Sequence, residues 1–100
     1  MKTTIEEKDG KWIATLEGEL DTAAAQEVEA ALRPVNEGSG KDIVIDCTDL
    51  EYIASSGLRI LLSILKNAQS KGNSVVLRNV NNEVKDVFRL TGFINIFNFE

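Results

Sequence analysis

Residues 43–77 read IVIDCTDLEYIASSGLRILLSILKNAQSKGNSVVL. Ile43-Val44-Ile45 is a short β-branched run flanked by charge, which fits a strand buried on both faces. Asp46 to Glu51 reads as a polar connection interrupted by Leu50, with Ile53 packing beneath it. A long helix then starts at Ser55 or Ser56. Leu58, Leu61, Leu62, Leu65 and Ala68 form one stripe, and Ile60 and Ile64 widen it. Arg59, Ser63, Lys66 and Ser70 stay on a narrow polar face. Lys66 and Lys71 lie near the C-terminus, where the helix dipole favours cations. Gly72 suits the left-handed position after the helix. Val75-Val76-Leu77 is the next strand. A strand, a helix and a second strand joined this way are parallel neighbours in one sheet. This stretch decides the fold class: α/β.

Upstream, Thr3–Glu7 and Lys11–Glu17 read as two strands joined by Asp9-Gly10, a pair that favours the positive-φ turn of a tight hairpin. Trp12, Ala14 and Leu16 share one face of the second strand, Ile13 and Thr15 the other. Trp12 reads as core or edge packing, and Gly18 as the end of the strand. Asp21 or Thr22 can cap a helix carrying Ala24, Val28, Ala31 and Leu32 at helical spacing. Pro34 distorts or ends that helix, because Arg33 before it is pushed away from α geometry. Glu37-Gly38-Ser39-Gly40 reads as a loop. Downstream, Asn81 caps a helix in which Val84, Val87, Phe88 and Thr91 share a face, and Gly92 ends it. Ile94 to Phe99 alternate and read as a last strand. The order is β-β-α-β-α-β-α-β: one domain over residues 1–100, a mixed, mostly parallel sheet with an N-terminal hairpin and helices packed on it.

The net charge of -5, with lysines and arginines scattered among acidic neighbours, argues against nucleic acid and against an anionic membrane surface. The absence of histidine excludes Ser-His-Asp and Cys-His catalytic arrangements. The single cysteine, Cys47, permits no intrachain disulfide, argues against a zinc site, and reads as a small buried hydrophobe. No phosphate-binding glycine loop is present. The expectation is a binding module with no catalytic residue, metal or cofactor of its own. The first residues lack a secretory pattern and no apolar run approaches the ~20 residues of a membrane span. The cytoplasm is the expected location.

Two segments stand at exits from strands: Glu19-Leu20-Asp21-Thr22 and Ala54-Ser55-Ser56-Gly57-Leu58. Loops at such places line one edge of an open α/β sheet and form its binding face. Serine is a favoured cap, so one of the pair is expected to cap the long helix. Gly57 removes bulk beside Ser56, leaving the hydroxyl open to another protein's active site. A phosphate there would meet unpaired N–H groups and the positive end of the helix dipole. It would add about -1.5 to -2 charges to an acidic surface without unfolding the domain.

Together these segments resemble the STAS domain of the bacterial anti-sigma factor antagonists. Gly18-Glu19-Leu20-Asp21-Thr22 matches the family's G-x-L-D-[ST] motif, and Ala54-Ser55-Ser56-Gly57-Leu58 matches its D-S-S-G-L. Ile45-Asp46 and Leu90-Thr91-Gly92-Phe93 extend the likeness along the chain. The resemblance implies a partner-switching protein. It would bind an anti-sigma factor that is also a serine kinase, be phosphorylated at Ser56, and be reset by a PP2C-type phosphatase. The implied partner-binding residues are Asp21, Thr22, Ser55, Ser56, Gly57, Leu58 and Arg59. One position departs from the pattern: Ala54 replaces the family's acidic residue. That leaves a second reading, a STAS scaffold or a subunit of a regulatory or transport-associated complex that is not phosphorylated. Asp46 reads as a carboxylate that organises its own loop. Phe97 and Phe99 would form an apolar patch able to support a weak homodimer.

Overall fold

The computed structural model describes every residue except Gly38 and Ser39. The expected loop from Glu37 to Gly40 therefore lies partly outside the described residues.

Strands β1 (Lys2–Lys8) and β2 (Lys11–Leu20) form an antiparallel hairpin. Asp9 and Gly10 both have positive φ, at 53° and 76°, the mirror-image turn whose twist matches the flanking strands. Gly18 does not end β2. It adopts φ 107° beside register shifts between Thr15 and Glu17 and between Gly18 and Glu19. The glycine absorbs the irregularity and the strand continues to Leu20.

Helix α1 (Thr22–Ala31) breaks at Leu32, and a single turn, α2 (Arg33–Asn36), follows. The interruption near Pro34 is as expected, but Arg33 belongs to the second helix. Pro34 lies in the first turn of α2, where its missing N–H costs nothing.

The largest departure is β3 (Ile43–Ile53). It is one continuous strand of 11 residues, not a short strand followed by a polar connection. β4 (Val75–Arg78) pairs only as far as Asp46–Arg78. Beyond that point β3 pairs with the end of β2 alone, up to Leu20–Ile53. This half-exposed extension is polar outside, and Cys47, Leu50 and Ile53 are its buried residues.

Helix α3 (Ser55–Ser70) follows, then β4, α4 (Asn82–Thr91) and β5 (Asn98–Phe99). The expected strand from Ile94 to Phe99 shrinks to two residues. Gly92 takes the left-handed conformation (φ 80°) and Phe93–Asn95 wind into a 3-10 turn. The sheet order is β1-β2-β3-β4-β5, with every pair after the hairpin parallel.

Ala14, Leu16, Ile43, Ile45, Val75 and Leu77 meet Val28, Leu61, Ile64 and Leu65 from the helices in one core. Phe88 is packed edge-on by both Phe97 and Phe99, at 5.4 Å each. Phe97 is therefore buried and Phe99 half-buried, so they do not form the expected exposed patch. Among the described residues, the exposed large apolar side chains are Leu90, Tyr52 and Ile96. Trp12 packs against the core, with the Lys41 ammonium 5.2 Å from its ring centroid. No described helix is long and apolar enough to cross a membrane.

Candidate functional site

The two sequence motifs meet where β2 and β3 end side by side. The Ala54 N–H donates to the Leu20 carbonyl at 2.8 Å, fastening the start of α3 to the start of α1. Asp21 accepts from the Ala24 N–H at 2.8 Å, so it is the cap of α1. Thr22 is the first residue of that helix. The Ser56 hydroxyl lies 3.5 Å from the Thr22 hydroxyl, the outer limit of a hydrogen bond.

The expected serine cap is absent. α3 begins one residue earlier than a serine cap requires. The capping position is Ala54, extended at φ -91° and ψ 169°, with no side-chain acceptor. Ser55 and Ser56 are the first two helical residues. Ser55 is exposed, whereas Ser56 is half-buried, less open than the neighbouring Gly57 suggests. Ala54 replaces the carboxylate of the resembling motif at the position where it would cap the helix.

Gly57 also acts differently from expectation. Its missing side chain faces inward, not toward a partner. A Cβ there would fall 2.7 Å from Leu20 Cγ, 2.9 Å from Leu20 Cδ2 and 3.0 Å from Ile53 Cγ1. The glycine lets α3 close onto the ends of both strands, and this approach brings Ser56 beside Thr22. Leu58, next in sequence, is likewise buried. Gly57 and Leu58 thus position the site, while Thr22, Ser55 and Arg59 form its outer surface.

Ser56 opens onto a groove of about 380 Å³ between α1 and α3, lined also by Ala25, Gln26, Glu29, Arg59 and Ile60. The sequence reading missed Gln26 and Glu29. Their spacing from Thr22, at i+4 and i+7, was the available signal. A second cleft of about 210 Å³ lies on the other side of α3, lined by Ser55, Leu58, Arg59, Leu62, Thr91 and Phe93. Arg59 belongs to both.

Two further groups have structural roles. Asp46 accepts from the Thr48 N–H at 3.0 Å and the Thr48 hydroxyl at 2.6 Å, the local organising role expected of it. Burial, with the Asp46 carboxylate adding to it, pushes the Cys47 thiol up to about 12. That thiol stays protonated at neutral pH and is a poor nucleophile. Among the described residues, no cluster of three or more His, Cys, Asp or Glu side chains is placed to hold a metal ion.

Comparison with known proteins identifies the family. The chain is 35% identical over 97 residues to BtrV of Bordetella bronchiseptica, named as an anti-sigma factor antagonist, covering 97% of this chain and 84% of that protein. An anti-sigma factor antagonist from Mycobacterium paratuberculosis superposes with a TM-score of 0.82 at 28% identity, over 98% of this chain and 83% of that one. The phosphorylated form of the Bacillus cell-fate determinant SpoIIAA shares the fold, with a TM-score of 0.74 at 20% identity, over 99% and 91% of the two chains. A sequence model of the STAS domain matches residues 2–100, and the chain belongs to the STAS domain family.

Proposed function

We propose that this protein is an anti-sigma factor antagonist that acts by partner switching. It binds an anti-sigma factor with serine-kinase activity, and phosphorylation of Ser56 releases it. The supporting observation is the meeting of Asp21-Thr22 with Ser55-Ser56 through the Ala54–Leu20 hydrogen bond. That contact sets a hydroxyl at the head of the α1–α3 groove. The domain supplies surface and acceptor; ATP and its metal belong to the kinase, and a PP2C-type phosphatase resets the serine. No step requires catalysis by this chain. A phosphate on Ser56 would sit at the uncapped start of α3, where N–H groups and the dipole tolerate it. The fold would survive while the docking face gained about -1.5 to -2 charges.

The test is binding of purified parent, Ser56→Ala and Ser56→Asp to the serine-kinase anti-sigma factors of the source genome, with phosphopeptide mapping of the parent. Ser56→Ala should bind like the parent and accept no phosphate. Ser56→Asp should bind about tenfold or more weakly, a loss of ~1.4 kcal/mol. Equal binding by Ser56→Asp would overturn the electrostatic switch.

Ala54 favours a second reading, a constitutive STAS scaffold, because the side chain that would order the serine turn is missing. Protein recovered from its own cells with no phosphate on Ser56 and a stably bound partner would favour it.

A further inference from the structure

The exposed ridge of α3 has the opposite charge to the protein around it. The chain carries a net charge of -5, yet residues 55–70 contain no Asp or Glu. Arg59 and Lys66 project from this ridge, and both are exposed. Among the described residues neither forms an ion pair; Lys8, Lys11, Arg33 and Lys85 form none either, but they are scattered over β1, β2, α2 and α4. Arg59, Lys66, Ser63 and Ser70 line a shallow depression along the helix. An apolar cleft adjoins it, with Leu58, Leu62 and Phe93 in its walls. Leu90, next in sequence to the cleft's Thr91, is 88% exposed. An unpaired cationic ridge beside an apolar cleft and a bare leucine fits a protein surface better than a nucleic acid. Two cations neutralise too few phosphates for a nucleic-acid site.

We propose that the partner docks along α3 with an acidic surface, placing carboxylates against Arg59 and Lys66 and an apolar side chain in the cleft between α3 and α4. This inference rests on the function proposed above and names the chemistry of that partner. Arg59 lines both the Ser56 groove and the apolar cleft, so the docking surface runs unbroken from the serine across α3. It also explains why charge is an effective switch. Ser56 and Arg59 are neighbours at i and i+3. A phosphate on Ser56 draws the Arg59 guanidinium to itself and repels the carboxylates that the guanidinium had attracted.

The experiment measures Kd for purified serine-kinase anti-sigma factors of the source genome against the parent, Arg59→Glu with Lys66→Glu, Leu90→Asp, and Lys11→Glu on the distant hairpin. Circular dichroism checks that each variant is folded. The double charge reversal should weaken binding about tenfold or more and reduce its salt dependence. Leu90→Asp should weaken it about tenfold, and Lys11→Glu should change it less than about twofold. Reversing the facing carboxylates on the partner should restore affinity to the double reversal. Parent-like binding by the Arg59 and Lys66 variant, or an equal loss with Lys11→Glu, overturns the inference. If Ser56→Asp still weakens binding in that case, the proposed function survives without it. If the parent binds no such kinase, both fall.

Discussion

Helices α1 and α4 begin in one way and α3 in another. Asp21 and Asn81 each turn a side-chain oxygen onto the N–H three residues ahead, at 2.8 Å in both. Ala54 occupies the same position with nearly the same backbone, φ -91° against -91° and -73°, and offers nothing. The first turn of α3 is held from outside the helix, by the Leu20 carbonyl and by the fit of Gly57 against Leu20 and Ile53. Local chemistry secures the two supporting helices, while tertiary contact secures the helix that carries the serines. The second arrangement leaves the first N–H groups of α3 without a side-chain acceptor, where an incoming negative charge gains most.

The largest way to break this contrast is Gly57→Ala. Helix propensity alone predicts a gain of ~0.5–1 kcal/mol. Packing predicts a loss, because the new methyl would press on the branch of a fully buried leucine. Overpacking of this kind costs about 1–3 kcal/mol, so a net loss is expected in urea denaturation. Leu20→Ala in the same chain should remove part of that penalty, a non-additivity that marks direct contact. A stabilised Gly57→Ala would mean that α3 is not seated on the strand ends as described. Next in size is Asn81→Ala. It removes the cap of α4 and the amide's bond to the Leu50 carbonyl at 2.9 Å. A loss of about 1–2 kcal/mol is expected in the same measurement. The loss should leave partner binding at Ser56 unchanged.

The sequence shows this contrast unevenly. Asp21 and Asn81 are legible as caps because the interaction is local: a side chain reaches a backbone group three residues on. The hairpin is legible for the same reason, in Asp9-Gly10. Serine preference placed a cap at Ser55 or Ser56, but the contact that fixes the start of α3 comes from Leu20, far away in the chain. The function of Gly57 was hidden for that reason too: only the folded structure shows what its missing methyl would strike. The second half of β3 escaped notice because a strand paired along one side carries polar residues that read as a connection. At the other end, alternation from Ile94 to Phe99 suggested a strand. The left-handed turn at Gly92 and packing on Phe88 were stronger than that pattern. The site was legible as a pair of motifs, but the grooves that give it shape were not.

The smallest expected effect sharpens the comparison most. Ala54→Asp restores to α3 the kind of cap that α1 already has, on a backbone set for it. The carboxylate should accept from the Gly57 N–H and stabilise the unmodified domain by about 1 kcal/mol, a rise of roughly 4–8 °C in Tm for a chain of this size. It should also reduce the stability gained when Ser56 is phosphorylated, because carboxylate and phosphate then compete for the same N–H groups and repel each other. The measurement is the Tm of parent and Ala54→Asp, each with and without phosphate. In the parent, phosphorylation should raise Tm; in the variant, the same modification should raise it less or lower it. Equal shifts in both chains would show that phosphate does not use the vacancy left by Ala54. The uncapped start of α3 would then be a tolerated loss of stability and not part of the switch.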